Sequence, residues 1–213
     1  MRRPSVFFGA AAVVLSLAAC ASPTSTPTGP TVSSVAVQSS DLPSGMVRCS
    51  VSGSIEDFIK AEQTPDPNTS KTISDYWTDA KSNGATASYV ALYTDSQSRC
   101  ADIKNPQTDV GTATYKLVVN FVVQFKNEAS AQDAYKNKSI FGFSAAQLRS
   151  APTVEGKDTG LTDNSIVLNQ SLGNQSFYIA DWQNKTFLVI LAVLNIDPTA
   201  SKKVSTAENG RIK

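Results

Sequence analysis

From Tyr115 to Lys126 apolar and polar positions alternate. Tyr115, Leu117, Val119, Phe121, Val123 and Phe125 fall on one side, and Lys116, Asn120, Gln124 and Lys126 on the other. A period of two is that of a half-buried strand. One covered and one wetter face predicts antiparallel pairing. Met46 to Val51 alternates over a shorter stretch, and Thr86 to Tyr93 is β-rich with Tyr89 and Tyr93 on one side. Ser165–Asn169, Phe177–Trp182 and Thr186–Leu194 read as a meander, joined by Leu172-Gly173-Asn174 and Asn184-Lys185, short polar connections of hairpin type. Phe187 to Leu194 is apolar on both sides and belongs in the sheet centre.

Helical patterns lie between these runs. Ser54 caps a start with Glu56 and Asp57 in the first turn, and Ile55, Phe58 and Ile59 share a face. A loop rich in Pro and Asn is expected from Thr64 to Ser70, then a second helix from Ser74 to Lys81, stopped by Asn83-Gly84. Asn127 caps a helix to Asn137 with Ala131, Ala134 and Tyr135 inward, and Ser144-Ala145-Ala146-Gln147 opens a short helix ending near Arg149. Asp197-Pro198 starts a last helix running to Asn209. A long strand, then Asn127 or Asp197, then an Ala-rich helix occurs twice, which hints at a strand–helix duplication. The expected fold is α+β: an antiparallel β-sheet with helices packed on one face, as a two-layer sandwich.

The N-terminus follows a different pattern. Met1-Arg2-Arg3-Pro4 precedes an apolar run from Val6 to Leu17, which ends in Leu17-Ala18-Ala19-Cys20. A basic start and a short apolar stretch read as an export signal. The run has 12 residues, short of the roughly 20 that span a bilayer. Leu17-Ala18-Ala19-Cys20 resembles the lipobox of bacterial lipoproteins. The resemblance implies cleavage before Cys20, acylation of its thiol, and a chain anchored in the cell membrane facing outside the cytoplasm. An ordinary secretory signal with an incidental cysteine is the rival. Each buried methylene contributes about 0.8 kcal/mol, so two or three acyl chains hold firmly where one does not. Residues 1–19 are then the leader, 20–40 the lipidated cysteine with a Ser/Thr/Pro-rich tether, and 41–213 one extracytoplasmic domain.

With Cys20 lipidated, Cys49 and Cys100 remain, and in an exported domain two cysteines most simply pair. A redox-active pair is the alternative, without a Cys-x-x-Cys spacing to support it.

Composition narrows the chemistry. The 213 residues carry a net charge of +1; losing Arg2 and Arg3 takes the bases from 19 to 17 against 18 acids. A near-neutral chain has no basic footprint for nucleic acid. There is no histidine, so the usual serine and thiol mechanisms lack their base. No serine is followed by lysine three residues on, which removes the Ser-x-x-Lys mechanism. Asp66-Pro67-Asn68-Thr69-Ser70 begins like a calcium loop but fails it, with Lys71 and Trp77 where Gly and Glu belong. Gly156-Lys157 lacks the earlier glycine of a phosphate loop, Ala151 standing there. No catalytic residue, metal site or cofactor is expected.

Two aromatics are candidate partner contacts. Trp182 stands beside the Asn184-Lys185 turn with Tyr178 nearby. An aromatic at a hairpin tip can anchor a partner; packing at the sheet edge is the alternative reading. Trp77 belongs to the core.

The lipobox and the tether, and from Leu42 onward the strand–helix unit Phe121 to Tyr135 and the turn Gly160-Leu161-Thr162-Asp163 before a β-meander and final helix, resemble the layout of small bacterial lipoproteins. They also resemble the extracytoplasmic sensor-like domains of some mycobacterial receptor kinases. The resemblance implies a non-catalytic binding or sensor-like module with an unknown protein or small-molecule ligand. Two alternatives stay open. One is a carrier holding an apolar ligand between sheet and helices, lined by Phe121 and Phe125. The other is an envelope hydrolase using carboxylates.

Overall fold

A computed structural model of the chain describes residues 29–103, 110 and 113–213. The leader, Cys20 and most of the tether lie outside the described residues. Eight strands form one sheet: β1 (Val47–Arg48), β2 (Gly53–Ser54), β3 (Ala85–Thr94), β4 (Leu117–Phe125), β5 (Thr153–Glu155), β6 (Ser165–Leu172), β7 (Gln175–Asn184) and β8 (Phe187–Leu194). Their order is β1-β3-β4-β8-β7-β6-β5, with β2 also on the outer edge of β3. Every pairing is antiparallel. Seven α-helices are present among the described residues: α1 (Val32–Val35), α2 (Ile55–Glu62), α3 (Pro67–Ser82), α4 (Gln97–Cys100), α5 (Glu128–Asn137), α6 (Ala145–Leu148) and α7 (Pro198–Gly210). The α+β antiparallel class expected from the alternation is therefore present.

β8 takes the central place its sequence demands. It lies between β4 and β7, and all eight of its residues are buried. It can be apolar on both faces because both faces of the sheet are covered. On one face Leu117, Val119, Phe121, Val123 and Phe125 of β4 pack with Ile55 and Phe58 of α2, Ile73 and Trp77 of α3, and Ala131, Ala134 and Tyr135 of α5. On the other, Val118 and Val122 of β4 join Val189, Leu191 and Val193 of β8, Val35 of α1 and Val204 of α7.

The expectation of helices on one face is corrected by this second core. The layers number three: helices, sheet, helices. The face of β4 taken as wet carries Val118 and Val122 between its polar residues, and Asn120 among them is fully buried. The strand–cap–helix plan does recur, with Asn127 capping α5 through Ser130 N and Asp197 capping α7 through Thr199 N and Ala200 N. The two helices pack on opposite faces of neighbouring antiparallel strands.

Two boundaries also move. The loop expected from Thr64 to Ser70 ends at Asp66, and its second half is the start of α3: Asp66 accepts from Thr69 N at 3.1 Å, and Pro67 occupies the first turn. That is the same Asp-Pro signal that starts α7. The tether expected to reach residue 40 ends earlier. Thr31 caps α1, and Val35, Ala36 and Val37 are 0%, 0% and 1% exposed in the second core. Their apolar run, Val35-Ala36-Val37, has a face to bury where the Ser/Thr/Pro stretch before it has none.

Cys49, just after β1, and Cys100, at the end of α4, form a disulfide with Cα atoms 5.4 Å apart. The bridge ties the β1 edge to the loop that leaves β3.

Candidate functional site

The β6–β7 end of the sheet holds an open cleft on the face covered by α7. A short edge strand builds its wall. β5 pairs only with Ile166, Val167 and Leu168 of β6, leaving Val154 half exposed on the rim. After β5 the chain makes one 3₁₀ turn, Gly156–Thr159, closed by Gly160 at a φ of 81°. That left-handed conformation favours glycine. The turn is pinned inside. The hydroxyls of Thr159 and Ser165 lie 2.7 Å apart, and Thr159 Oγ1 accepts from Leu161 N at 3.0 Å.

The opposite wall is the first turn of α7, with Pro198, Thr199 and Lys202. Val167, Asn169 and Tyr178 form the floor, and Pro152, Val154, Asp158 and Thr159 complete the lining of a space of about 310 Å³. That is at the lower end of the roughly 300–1,000 Å³ of small-molecule sites. The lining combines aliphatic and proline surface with hydroxyls, one amide and two opposite charges, Asp158 and Lys202. The α7 N-terminus is already satisfied by the Asp197 carboxylate, so the cleft gains no anion site from it.

Tyr178 belongs to this floor, though not as an exposed anchor. It is 4% exposed, and its hydroxyl lies 2.6 Å from that of Ser205 on α7. Burial raises the pKa of the phenol, with the Ser205 bond opposing. Trp182 is 0% exposed, paired through its strand with Val189 and Ser165. The candidate partner contact at Trp182 and Tyr178 is thus corrected. Both side chains lie on the face of β7 that α7 and the second core cover, and Trp182 is one of the largest fully buried side chains. Proximity to a turn in sequence does not expose a residue whose side chain faces a layer.

The interior that a carrier would need is occupied. Phe121 and Phe125 are 0% and 2% exposed, and the Phe121 ring stacks on Phe141 at 4.7 Å. A second hollow, about 360 Å³, adjoins the disulfide between Cys49 and Cys100, and its acids Glu62 and Asp66 each have interactions of their own.

Two buried acids escaped the sequence reading. Asp181 of β7 is 2% exposed, and its Oδ1 has no hydrogen-bond partner among the described residues. Desolvation raises its pKa to about 7, with the Arg149 charge opposing. Glu208 of α7 is 0% exposed, and burial likewise pushes its carboxyl well above the usual range. The signal for both was position: Asp181 shares a strand face with Phe177 and Ile179, and Glu208 lies one turn beyond Val204.

No protein-family model matches the chain, and no curated protein matches it in sequence. In fold it is similar to the extracellular domain of PknH from Mycobacterium tuberculosis, with a TM-score of 0.51 and 10% identity, over 85% of this chain and 94% of that one. At that identity the likeness is one of architecture, and it agrees with the layout resemblance read from the sequence.

Proposed function

We propose that the chain is a non-catalytic binding module held outside the cytoplasm, with the cleft between β5, β6, β7 and the first turn of α7 as its ligand seat. The cleft carries this reading: a concave surface of small-molecule size, with apolar walls and a few convergent polar groups, on a domain whose interior is otherwise filled. Its lining suits a small ligand with one apolar face and a polar rim. The fold it shares with the PknH extracellular domain supports a place outside the cytoplasm, as does the Cys49–Cys100 disulfide. Among the described residues no helix is long and apolar enough to cross a membrane. Attachment through lipid on Cys20 is the part of the proposal that rests on the lipobox alone. Nucleic acid has no place in it, and neither does a cofactor.

Mass spectrometry of the processed N-terminus tests the anchor: acyl mass on Cys20 is expected, and an unmodified thiol on an exported chain overturns it. For the cleft, amide shifts of the purified domain are followed against a panel of small envelope glycans and amphiphiles. Saturable shifts confined to Val154, Asp158, Asn169 and Lys202, abolished by Lys202→Ala with Asp158→Ala, are expected. Saturable binding elsewhere, unaffected by those changes, relocates the site. Turnover of cell-wall substrates overturns the non-catalytic reading.

A further inference from the structure

The segment joining the tether to the domain is gripped by side chains. Thr31–Leu42 pairs with no strand among the described residues. Its backbone is read instead by three residues from elsewhere in the fold. Asn120 Oδ1 accepts from Val37 N at 3.0 Å, and the Tyr93 hydroxyl donates to Val37 O at 2.9 Å. Arg211, just past α7, donates to Val35 O at 3.0 Å and to Ala36 O at 3.1 Å. The same guanidinium forks the Asp41 carboxylate at 3.1 and 2.9 Å. Beneath this grip lies Glu208, fully buried and one turn before Arg211 on α7. Its Oε1 accepts from Asn120 Nδ2 at 2.9 Å, while Oε2 has no hydrogen-bond partner among the described residues. Asn120 therefore connects the buried carboxyl directly to the strap amide.

We propose that Thr31–Leu42 is a strap that docks and undocks as a unit, and that Glu208 is the proton-operated lock beneath it. A protonated Glu208 is neutral and tolerates the single bond from Asn120. An ionised one is a buried charge with one donor where it needs several, and lifting the strap admits water to it. The ionised oxygens also compete for Arg211, three residues further along the chain at the C-cap of α7, against Val35 O, Ala36 O and Asp41. The charged groups that bear on Glu208 are Arg211, which favours its ionisation, and Asp41, which opposes it. The carboxyl is raised by burial, so the docked state holds a proton that the open state releases. Docking is then strongest below the ordinary value of 4.5 and weakens as pH rises towards the folded value. Releasing these 12 residues would add about 40 Å of reach at ~3.3 Å per residue. That consequence rests on the anchor at Cys20; the docking itself does not.

Hydrogen exchange of the full-length chain between pH 5 and pH 8 tests the lock without ligand or membrane, so its failure leaves the cleft and the anchor untouched. Protection factors of the 31–42 amides are read against those of β4. Strap protection is expected to fall at least tenfold further than that of β4 over this range, and Glu208→Gln is expected to abolish that excess. Strap protection that follows β4 across the range, or an equal excess in Glu208→Gln, overturns the proposal. Should that variant not fold, the carboxyl carbon shift of Glu208 in the natural chain decides. A titration midpoint matching the loss of strap protection supports the lock, and one in the ordinary carboxylate range overturns it.

Discussion

Asn120 and Glu208, 88 residues apart in the chain, meet at 2.9 Å in the middle of the second core. Asn120 also donates to Ile190 O at 3.2 Å and accepts from Val37 N. One amide thus joins β4, β8, α7 and the N-terminal strap, and each of its bonds lies out of reach of water. Its substitution by Leu keeps the branched outline, with larger methyl groups, and removes every bond. Val37 N and Glu208 are then orphaned at once, at ~1–3 kcal/mol for each buried group left unpaired. We expect Asn120→Leu to lose about 3 kcal/mol or more in urea unfolding. A change below about 0.5 kcal/mol, the level of an ordinary surface substitution, would show that water reaches this network.

The Cys49–Cys100 bridge closes a sequence separation of 51 residues. A loop of that size gives roughly 4 kcal/mol in the chain-entropy model, with 2–5 kcal/mol as the usual cost of removal. Cys49→Ser with Cys100→Ser, or reduction of the natural chain, is expected to lower the urea midpoint accordingly. The slope should rise slightly, because the unfolded chain becomes less compact.

Asp181 makes stability depend on pH. Its ordinary value is 3.8 and burial raises it to about 7, so the folded state holds a proton that the unfolded state has already lost. The contribution is complete below pH 3.8 and declines as pH rises through the window up to about 7, at most ~1.4 kcal/mol for each unit. Asp181→Asn removes this titration. The stability of the natural chain minus that of the variant is expected to fall from pH 4 to pH 7 and to level off above. A flat difference would mean that Asp181 is already ionised in the fold.

Much of the fold was legible because the alternation of β4 and the double-sided apolarity of β8 admit few other arrangements. The caps at Ser54, Asn127, Ser144 and Asp197 located four helix starts for the same reason: each satisfies specific orphan amides. What escaped depended on the partner layer. Asn120, Asp181 and Glu208 are polar by identity and buried by position, and only the helices over both faces make them so. Asp66-Pro67 was masked by its resemblance to a polar loop, although it carries the chemistry of Asp197-Pro198. The cleft joins β5, β6, β7 and α7 across more than forty residues of sequence, and nothing in their local patterns announces that they meet.

Trp182 gives a direct optical check on the correction at the β7–β8 turn. Trp77 and Trp182 are 4% and 0% exposed, so native emission is expected to be blue-shifted and barely quenched by iodide. Trp182→Ala is expected to cost ~3–5 kcal/mol, as loss of a large buried aromatic does, rather than to alter a surface interaction. Red-shifted, readily quenched native emission would return a tryptophan to the surface.

The start of the folded domain can be found by truncation. Removing residues before Thr31 takes away no buried side chain among the described residues, since Gly29 and Pro30 are exposed and half-buried. Stability should hold within about 0.5 kcal/mol, as for ordinary surface changes. Removing the chain through Val37 is different. Val35 and Val37 are lost from the second core, at ~1.5–3 kcal/mol for each buried valine. Asn120 Oδ1 loses its backbone donor, and Arg211 loses two carbonyl acceptors. These losses share one patch and do not simply add, but together they exceed about 4 kcal/mol, a large part of the roughly 5–15 kcal/mol that holds a domain. A chain starting at residue 38 is therefore expected to unfold at markedly lower urea than one starting at residue 31. Equal midpoints for the two would show that docking of the strap adds nothing to the stability of the domain and return its boundary to Asp41.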